Sequence, residues 1–347
     1  MSVIPNSNQH VAQLIDANLD RAREGLRVIE DWIRYALKDK SLATTLKNWR
    51  HQLGQEHRDH YKNARLVSSD AGAGLSHPSQ EERTKPEDIV TANFARVQEA
   101  LRVLEEFSRQ SHPKLSKISA QIRYDIYDLE LNVSRRNNAN IRLRKLKACK
   151  VYLITKPHKQ ISKVVLSAVQ AGVTMVQFRC KEGFDSDNFK TAKKLASICK
   201  EHKSLFIIND RVDLAIASDA DGVHLGQEDL DVKVVRELIG SEKLIGLSTH
   251  SQEQIKDASN QDCDYLGIGP IYKTSSKPNK KNLGIEFITK IATQRTIDIP
   301  WFAIGGINRM NVSDVNNAGA RRIAVINAIM STEDPYLASK ELLETMK

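Results

Sequence analysis

Apolar residues recur at helical spacing along the first third of the chain. Ile15, Leu19, Ala22, Leu26, Ile29 and Ile33 follow one another by steps of four and three, which places them on one face of a helix. The same stripe returns at Val90, Phe94, Val97, Leu101, Leu104 and Ser108. The polar positions return with it. Residues 18–34 and 93–109 align without a gap, with identities at Asn18/Asn93, Arg21/Arg96, Glu24/Glu99, Leu26/Leu101, Arg27/Arg102, Val28/Val103, Glu30/Glu105 and Arg34/Arg109. Matches at eight of 17 positions indicate an internal duplication. Two further stripes, Leu42–Leu46–Trp49–Leu53 and Leu115–Ile118–Ile122–Ile126–Leu129–Val133, mark two more helices. The pattern predicts an all-α, four-helix-type N-terminal domain over residues 1–146.

From residue 151 the period changes. Short apolar runs appear at 151–155, 175–181, 205–210, 222–226, 244–250, 265–270, 300–306 and 322–329, separated by helical stretches such as 164–171, 189–201, 232–239 and 310–318. Eight strand–helix units in about 200 residues predict an α/β domain over 147–347, a (β/α)8 or TIM barrel. An open, doubly wound sheet is the alternative, because counting strands does not establish closure. Residues 68–88 are rich in Ser, Gly and Pro and read as a long loop. Asp70–Gly74 within it resembles an anion cradle only weakly, for no strand precedes it. Residues 134–150 carry seven basic residues and no acid, and read as the linker.

The repeated charges stand at pairing distance on a helix, Glu30 with Arg34 and Glu105 with Arg109. A solvated, salt-bridged face is the simpler reading; a duplicated surface for an anion or partner is the other. The formal net charge is +9 and is spread over both halves. It suits phosphorylated small molecules as well as nucleic acid or anionic lipid. Aromatic residues make up only 5%, which disfavours base stacking and argues against nucleic acid. No apolar stretch approaches membrane-spanning length, so no membrane association is expected. The first ten residues have neither a basic segment nor an apolar run, so no leader is expected. Cys149, Cys180, Cys199 and Cys263 form no close pair, which predicts a reducing compartment, the cytoplasm.

A barrel of this kind works at the C-terminal ends of its strands, and polar residues cluster there. The second strand ends in Gln177, Arg179 and Lys181, the third in Asn209–Asp210, and the fourth runs into Asp229. The fifth ends in Ser248–Thr249–His250, the sixth opens into Thr274–Ser275–Ser276–Lys277, the seventh ends in Gly305–Gly306, and the eighth in Ile326–Asn327. Asp210 and Asp229 on neighbouring loops repel unless a cation or a shared proton lies between them. Mg2+ with a substrate diphosphate satisfies such a pair, and Arg179, Lys181 and Lys277 add positive charge for that diphosphate. Gly305–Gly306, with Thr274 and Ser276, suits a monophosphate held by backbone N–H groups. A metal-bound diphosphate beside a second phosphorylated ligand implies a transferase. Simpler readings stand beside these: Asp229 as a helix N-cap, His224 as packed core, and Gly305–Gly306 as an ordinary turn.

These segments together resemble the thiamine-phosphate synthase family. The resemblance is carried by Val176–Lys181, Ile208–Asp210, Asp221–Asp229, Gly269–Thr274 and Ala303–Ile307. It implies that 4-amino-5-hydroxymethyl-2-methylpyrimidine diphosphate loses pyrophosphate to the nitrogen of 4-methyl-5-(2-phosphooxyethyl)thiazole, giving thiamine phosphate. It implies Mg2+ on Asp210 and Asp229, and a diphosphate on Arg179, Lys181, Asn209 and Lys277. Gln177 and Ser248 then lie against the pyrimidine, and Thr274, Ser276, Gly306, Ile326 and Asn327 line the thiazole phosphate. Phe178, Cys180 and Ser275 complete the implied substrate-binding set, with Arg179, Lys181, Ser248 and Lys277 as its catalytic members. The family usually has Thr at Ser276 and Ser at Asn327. Arg321–Arg322 replaces a small acidic–Gly pair and reads as a solvated loop. A thiazole tautomerase on the same barrel, or a precursor-binding regulatory protein, are the alternatives. The resemblance leaves the homo-oligomeric state and the role of the helical domain open.

Overall fold

The computed structural model describes residues 7–65, 83–274, 281–294 and 297–346. It divides into two compact units, Met1–Asn137 and Asn138–Lys347.

The first unit is helical. It comprises α1 Ser7–Trp32, which ends in a π-turn at Ile33–Leu37, then α2 Lys40–Gln55, α3 Asp59–Asn63, α4 Pro86–Phe107 and, up to Asn137, α5 Pro113–Ala148. Local chemistry sets the starts. The Asp39 carboxylate accepts from the Leu42 N–H at 2.9 Å and caps α2. Pro86 opens α4, with Glu87 and Asp88 in its first turn, where the helix dipole favours both. The predicted stripes of α1 and α4 are buried against each other in one core. The duplication extends to the charges. Glu30 accepts from Arg50 of α2 at 2.5 Å, and Glu105 from Arg123 of α5 at 2.9 Å. In each half, the helix that follows the repeat supplies an arginine to the same glutamate. Glu105 also pairs with Arg109 at 3.8 Å, as its spacing predicts. Glu30 departs from the prediction: it faces Arg27 and Arg50, while Arg34 lies over the Tyr35 ring. The two repeated glutamates are therefore inward-facing joints between helices.

The second unit is a closed parallel barrel in the order β1 to β8. Its elements are β1 Val151–Ile154, α6 Ile161–Gln170, β2 Met175–Phe178, α7 Asp185–Glu201, β3 Leu205–Asn209, α8 Val212–Ala217, β4 Gly222–Leu225 and α9 Val232–Ile239. They continue with β5 Leu244–Thr249, α10 Gln252–Ala258, β6 Tyr265–Ile268, α11 Ile285–Gln294, β7 Trp301–Ile304, α12 Val312–Asn317, β8 Ile323–Val325, α13 Asn327–Met330 and α14 Pro335–Thr345. The last predicted run, 322–329, is thus half strand and half helix.

Alternation along each strand separates two cores. Val151, Leu153, Val176, Phe178 and Ile208 face the helices. Tyr152, Ile154, Met175, Leu205, Ile207, Leu244, Tyr265, Phe302 and Ala324 fill the interior. Residues 134–148, expected as the linker, are the C-terminal part of helix α5. Leu146 and Cys149 are fully buried in the interior core, and Leu143 packs against it. The Arg142 guanidinium donates to Asp221 at 2.8 Å and to the Glu242 carbonyl at 3.1 Å, just before β4 and β5. This segment closes the barrel at the N-terminal ends of its strands. Arg322, expected in a solvated loop, is half-buried and donates to the Lys147 carbonyl at 2.7 Å. It caps the end of α5 there.

Candidate active site

Opposite that plug, the C-terminal ends of the strands surround a cavity of about 350 Å³. Gln177, Arg179, Asn209 and Ser248 line one side; Thr274, Gly305, Gly306, Ile326 and Asn327 line the other. The two expected phosphate regions are therefore parts of one cavity. Gln177, Asn209 and Ser248 stand at inward-facing strand positions, and Arg179 follows β2 with its backbone N–H on Thr155 Oγ1 at 3.1 Å.

Other predicted residues fall elsewhere. Phe178 points outward into the core between strands and helices, and Cys180 packs against the same layer. The period-two alternation of β2 carries both away from the cavity. Lys181 is exposed on the loop after β2 and acts electrostatically on Asp210. Ser275, Ser276 and Lys277 lie outside the described residues, as does most of the predicted loop 68–88.

The paired acids come together beside the cavity. Asp210 ends β3 in the left-handed region, at φ 61°, a conformation that Asp tolerates better than most residues. Its N–H donates to the His224 carbonyl at 2.9 Å, and the Asp229 carboxylate is its acidic neighbour. Burial, then the neighbouring Asp229, pushes the Asp210 carboxyl up to about 6, while Lys181 opposes the shift. Asp229 accepts from the Gly226 N–H at 2.6 Å. The cap of α9 is Asp231, whose carboxylate accepts from Lys233 N–H at 2.8 Å, so Asp229 does not serve as that cap. Among the described residues, no group of three or more His, Cys, Asp or Glu forms a metal cage. Two mutually repelling carboxylates fit a small hard dication that completes its shell with water and substrate oxygens.

On the far side, Gly306 adopts φ 69°. A Cβ there would stand 2.7 Å from Tyr272 Cβ and 2.8 Å from the Lys273 carbonyl oxygen. The loop after β6 is stitched to β7 by Ile271 N–H on the Ile304 carbonyl and Tyr272 N–H on the Gly305 carbonyl. Two residues missed by the sequence reading join the cavity region. His224, buried as expected, also lines the cavity; its signal was an imidazole at an inward position between Gly222 and Gly226. Lys156 follows β1 as other site residues follow their strands, and its ammonium donates to Asn327 Oδ1 at 2.8 Å and Ser331 Oγ at 2.6 Å.

A closed barrel whose strand ends gather cations, paired carboxylates and a close-packed glycine turn has the layout of a phosphate-handling enzyme. More narrowly, the chain belongs to the thiamine-phosphate synthase family, a family of transferases. The family model described as thiamine monophosphate synthase matches residues 151–329. A protein named thiamine-phosphate synthase from Prochlorococcus marinus (strain SARG) is 62% identical, with all of both chains covered. Another from Synechococcus sp. (strain WH7803) is 46% identical over 100% of this chain and 99% of its own. The solved thiamine phosphate pyrophosphorylase of Pyrococcus furiosus is 36% identical at a TM-score of 0.54, covering 59% of this chain and 96% of that one. A second model, described as the ThiD2 family, matches residues 13–132.

Proposed function

We propose that the barrel joins 4-amino-5-hydroxymethyl-2-methylpyrimidine diphosphate to 4-methyl-5-(2-phosphooxyethyl)thiazole, releasing pyrophosphate and forming thiamine phosphate. One observation carries this reading: a single cavity is lined on one side by the pyrimidine and diphosphate set, Gln177, Arg179, Asn209 and Ser248, and on the other by Thr274, Gly306 and Asn327. Both substrates then meet without leaving the barrel.

The bond changes balance without a general base. The bond from the pyrimidine methylene carbon to the diphosphate oxygen breaks, and its electron pair leaves with pyrophosphate. The thiazole nitrogen supplies the pair for the new carbon–nitrogen bond. Arg179, Lys181 and Lys277 attract the diphosphate, where negative charge grows as the bond lengthens. Asn209 holds one of its oxygens, and Gln177 and Ser248 orient the ring. The N–H groups around Gly306, with Thr274, Ser276 and Asn327, hold the thiazole phosphate. Lys156 supports that end through Asn327. Asp210 and Asp229 would hold Mg2+, which when bound neutralises charge on the departing pyrophosphate. The four cysteines are free thiols, which supports the cytoplasm as the compartment. No described helix is long and apolar enough to cross a membrane.

The test is turnover by the purified full chain with both precursors. Equimolar thiamine phosphate and pyrophosphate are expected with Mg2+ and neither after chelation. Absence of both products with Mg2+ present overturns the reading.

A further inference from the structure

Beneath the cavity floor, five side chains from five strands form one hydrogen-bonded chain. Gln177 Nε2 donates to Tyr152 Oη at 2.7 Å. Tyr152 Oη lies 3.0 Å from Tyr265 Oη, Tyr265 Oη 3.2 Å from His224 Nδ1, and His224 Nε2 2.9 Å from Ser248 Oγ. The two ends, Gln177 and Ser248, line the cavity; Tyr152 and Tyr265 are fully buried behind it. Gly246 leaves the space for the central contact, since a Cβ there would stand 2.2 Å from Tyr265 Cζ and 2.5 Å from His224 Nδ1.

The chain has a direction. An amide nitrogen only donates, so Tyr152 Oη accepts from Gln177, and its own hydrogen has Tyr265 Oη as its partner. Tyr265 donates in turn to Nδ1 of His224. The imidazole then carries hydrogen on Nε2 and donates it to Ser248 Oγ. Burial pushes both tyrosine hydroxyls up, so each keeps the proton it must donate. Ser248 retains its own hydrogen for the cavity, and Gln177, with Nε2 engaged behind, is left to present Oε1.

We propose that Tyr152, Tyr265 and His224 are positioning residues that lock Gln177 as an acceptor and Ser248 as a donor, thereby selecting a ring with an amino group beside an unprotonated nitrogen. The proposal rests on the pyrimidine reading above and names what enforces its specificity. A ring with a carbonyl beside an N–H carries the reverse pattern. Its carbonyl meets the Gln177 Oε1, acceptor against acceptor, and its N–H competes for a serine oxygen that already accepts from His224. Buried polar groups left unpaired in this way discriminate strongly.

The test compares kcat/KM for the 4-amino pyrimidine diphosphate with that for its 4-oxo analogue, in the full chain and in Tyr152→Phe and Tyr265→Phe. The wild type is expected to prefer the amino compound by about a hundredfold or more. In Tyr152→Phe the Gln177 amide is free to turn, and the preference is expected to fall by about tenfold. The change should appear in KM for the pyrimidine and not in KM for the thiazole phosphate. Tyr265→Phe frees His224 to change tautomer, and is expected to lower the preference similarly; it carries the test if Tyr152→Phe does not fold. A preference unchanged in the folded variants, whatever the loss of kcat, overturns the proposal. So does a wild type that makes thiamine phosphate but uses both pyrimidines equally. A wild type that makes no thiamine phosphate fails the functional reading instead.

Discussion

Replacing Asp210 by Asn separates the electrostatics of the paired acids from their use. In the metal-free protein the Asp210 carboxyl is held at about 6, against 3.8 ordinarily, by burial and then by Asp229. The fold therefore favours the protonated acid. Its stabilising contribution is complete below pH 3.8 and is lost as pH rises through about 6. At full burial that shift corresponds to about 3 kcal/mol. Asp210 is partly exposed, and solvent screening reduces the effect to about 1–2 kcal/mol. Asp210→Asn carries no charge at any of these pH values. With chelator present it should match the wild type near pH 4 and exceed it by about 1–2 kcal/mol at pH 8. Urea unfolding of the barrel at both pH values measures this, and comparing the two proteins at each pH cancels the other titrating groups. Added Mg2+ should then stabilise the wild type at pH 8 and leave the variant unmoved, while the variant loses its turnover. Equal pH dependence in the two proteins would refute the repulsion argument, and equal Mg2+ stabilisation would refute the assignment of the metal to these acids.

Gly306→Ala forces a Cβ against Tyr272 and Lys273 at a positive φ. It should raise KM for the thiazole phosphate at least tenfold and destabilise the barrel by about 1–3 kcal/mol; unchanged KM would remove this turn from the phosphate site. Leu146→Ala empties part of the fully buried plug and should cost the barrel about 2–4 kcal/mol in urea unfolding. A fragment of residues 138–347 should accordingly melt higher than one of residues 150–347, which lacks Arg142, Leu143 and Leu146. Equal melting points would show that the plug is dispensable.

Where side chains follow a strict period, the sequence was legible. The apolar stripes of α1 and α4 lie where their spacing put them, because period 3.6 and burial on one side admit a single register. The strand ends were legible for the same reason, since a parallel barrel sends every βα loop to one rim. Period two also explains where Phe178 and Cys180 lie. Both sit in the most recognisable segment of the chain, next to Gln177 and Arg179, yet alternation turns them into the helix layer. A shared motif places neighbours on the same strand, whereas the pleat decides which of them see the substrate.

The basic segment after residue 134 shows the opposite limit. Its composition has the marks of a linker, with charge, few apolar residues and no acid to pair with. Only two apolar side chains and a cysteine, Leu143, Leu146 and Cys149, are needed to plug a barrel as narrow as eight strands. Arg142 finds its acid at Asp221 and Arg322 finds its carbonyl at Lys147. These are partners at sequence separations of 79 and 175 that no local pattern encodes. The same holds for the chain from Gln177 to Ser248. Its members are scattered singly over five strands, each unremarkable among apolar neighbours. Closure of the sheet, with β1 paired to β8, brings Tyr152 of β1 across the interior to Tyr265 of β6. Long-range polar order of this kind depends on barrel closure, and closure was the one feature of the fold that strand counting left undecided.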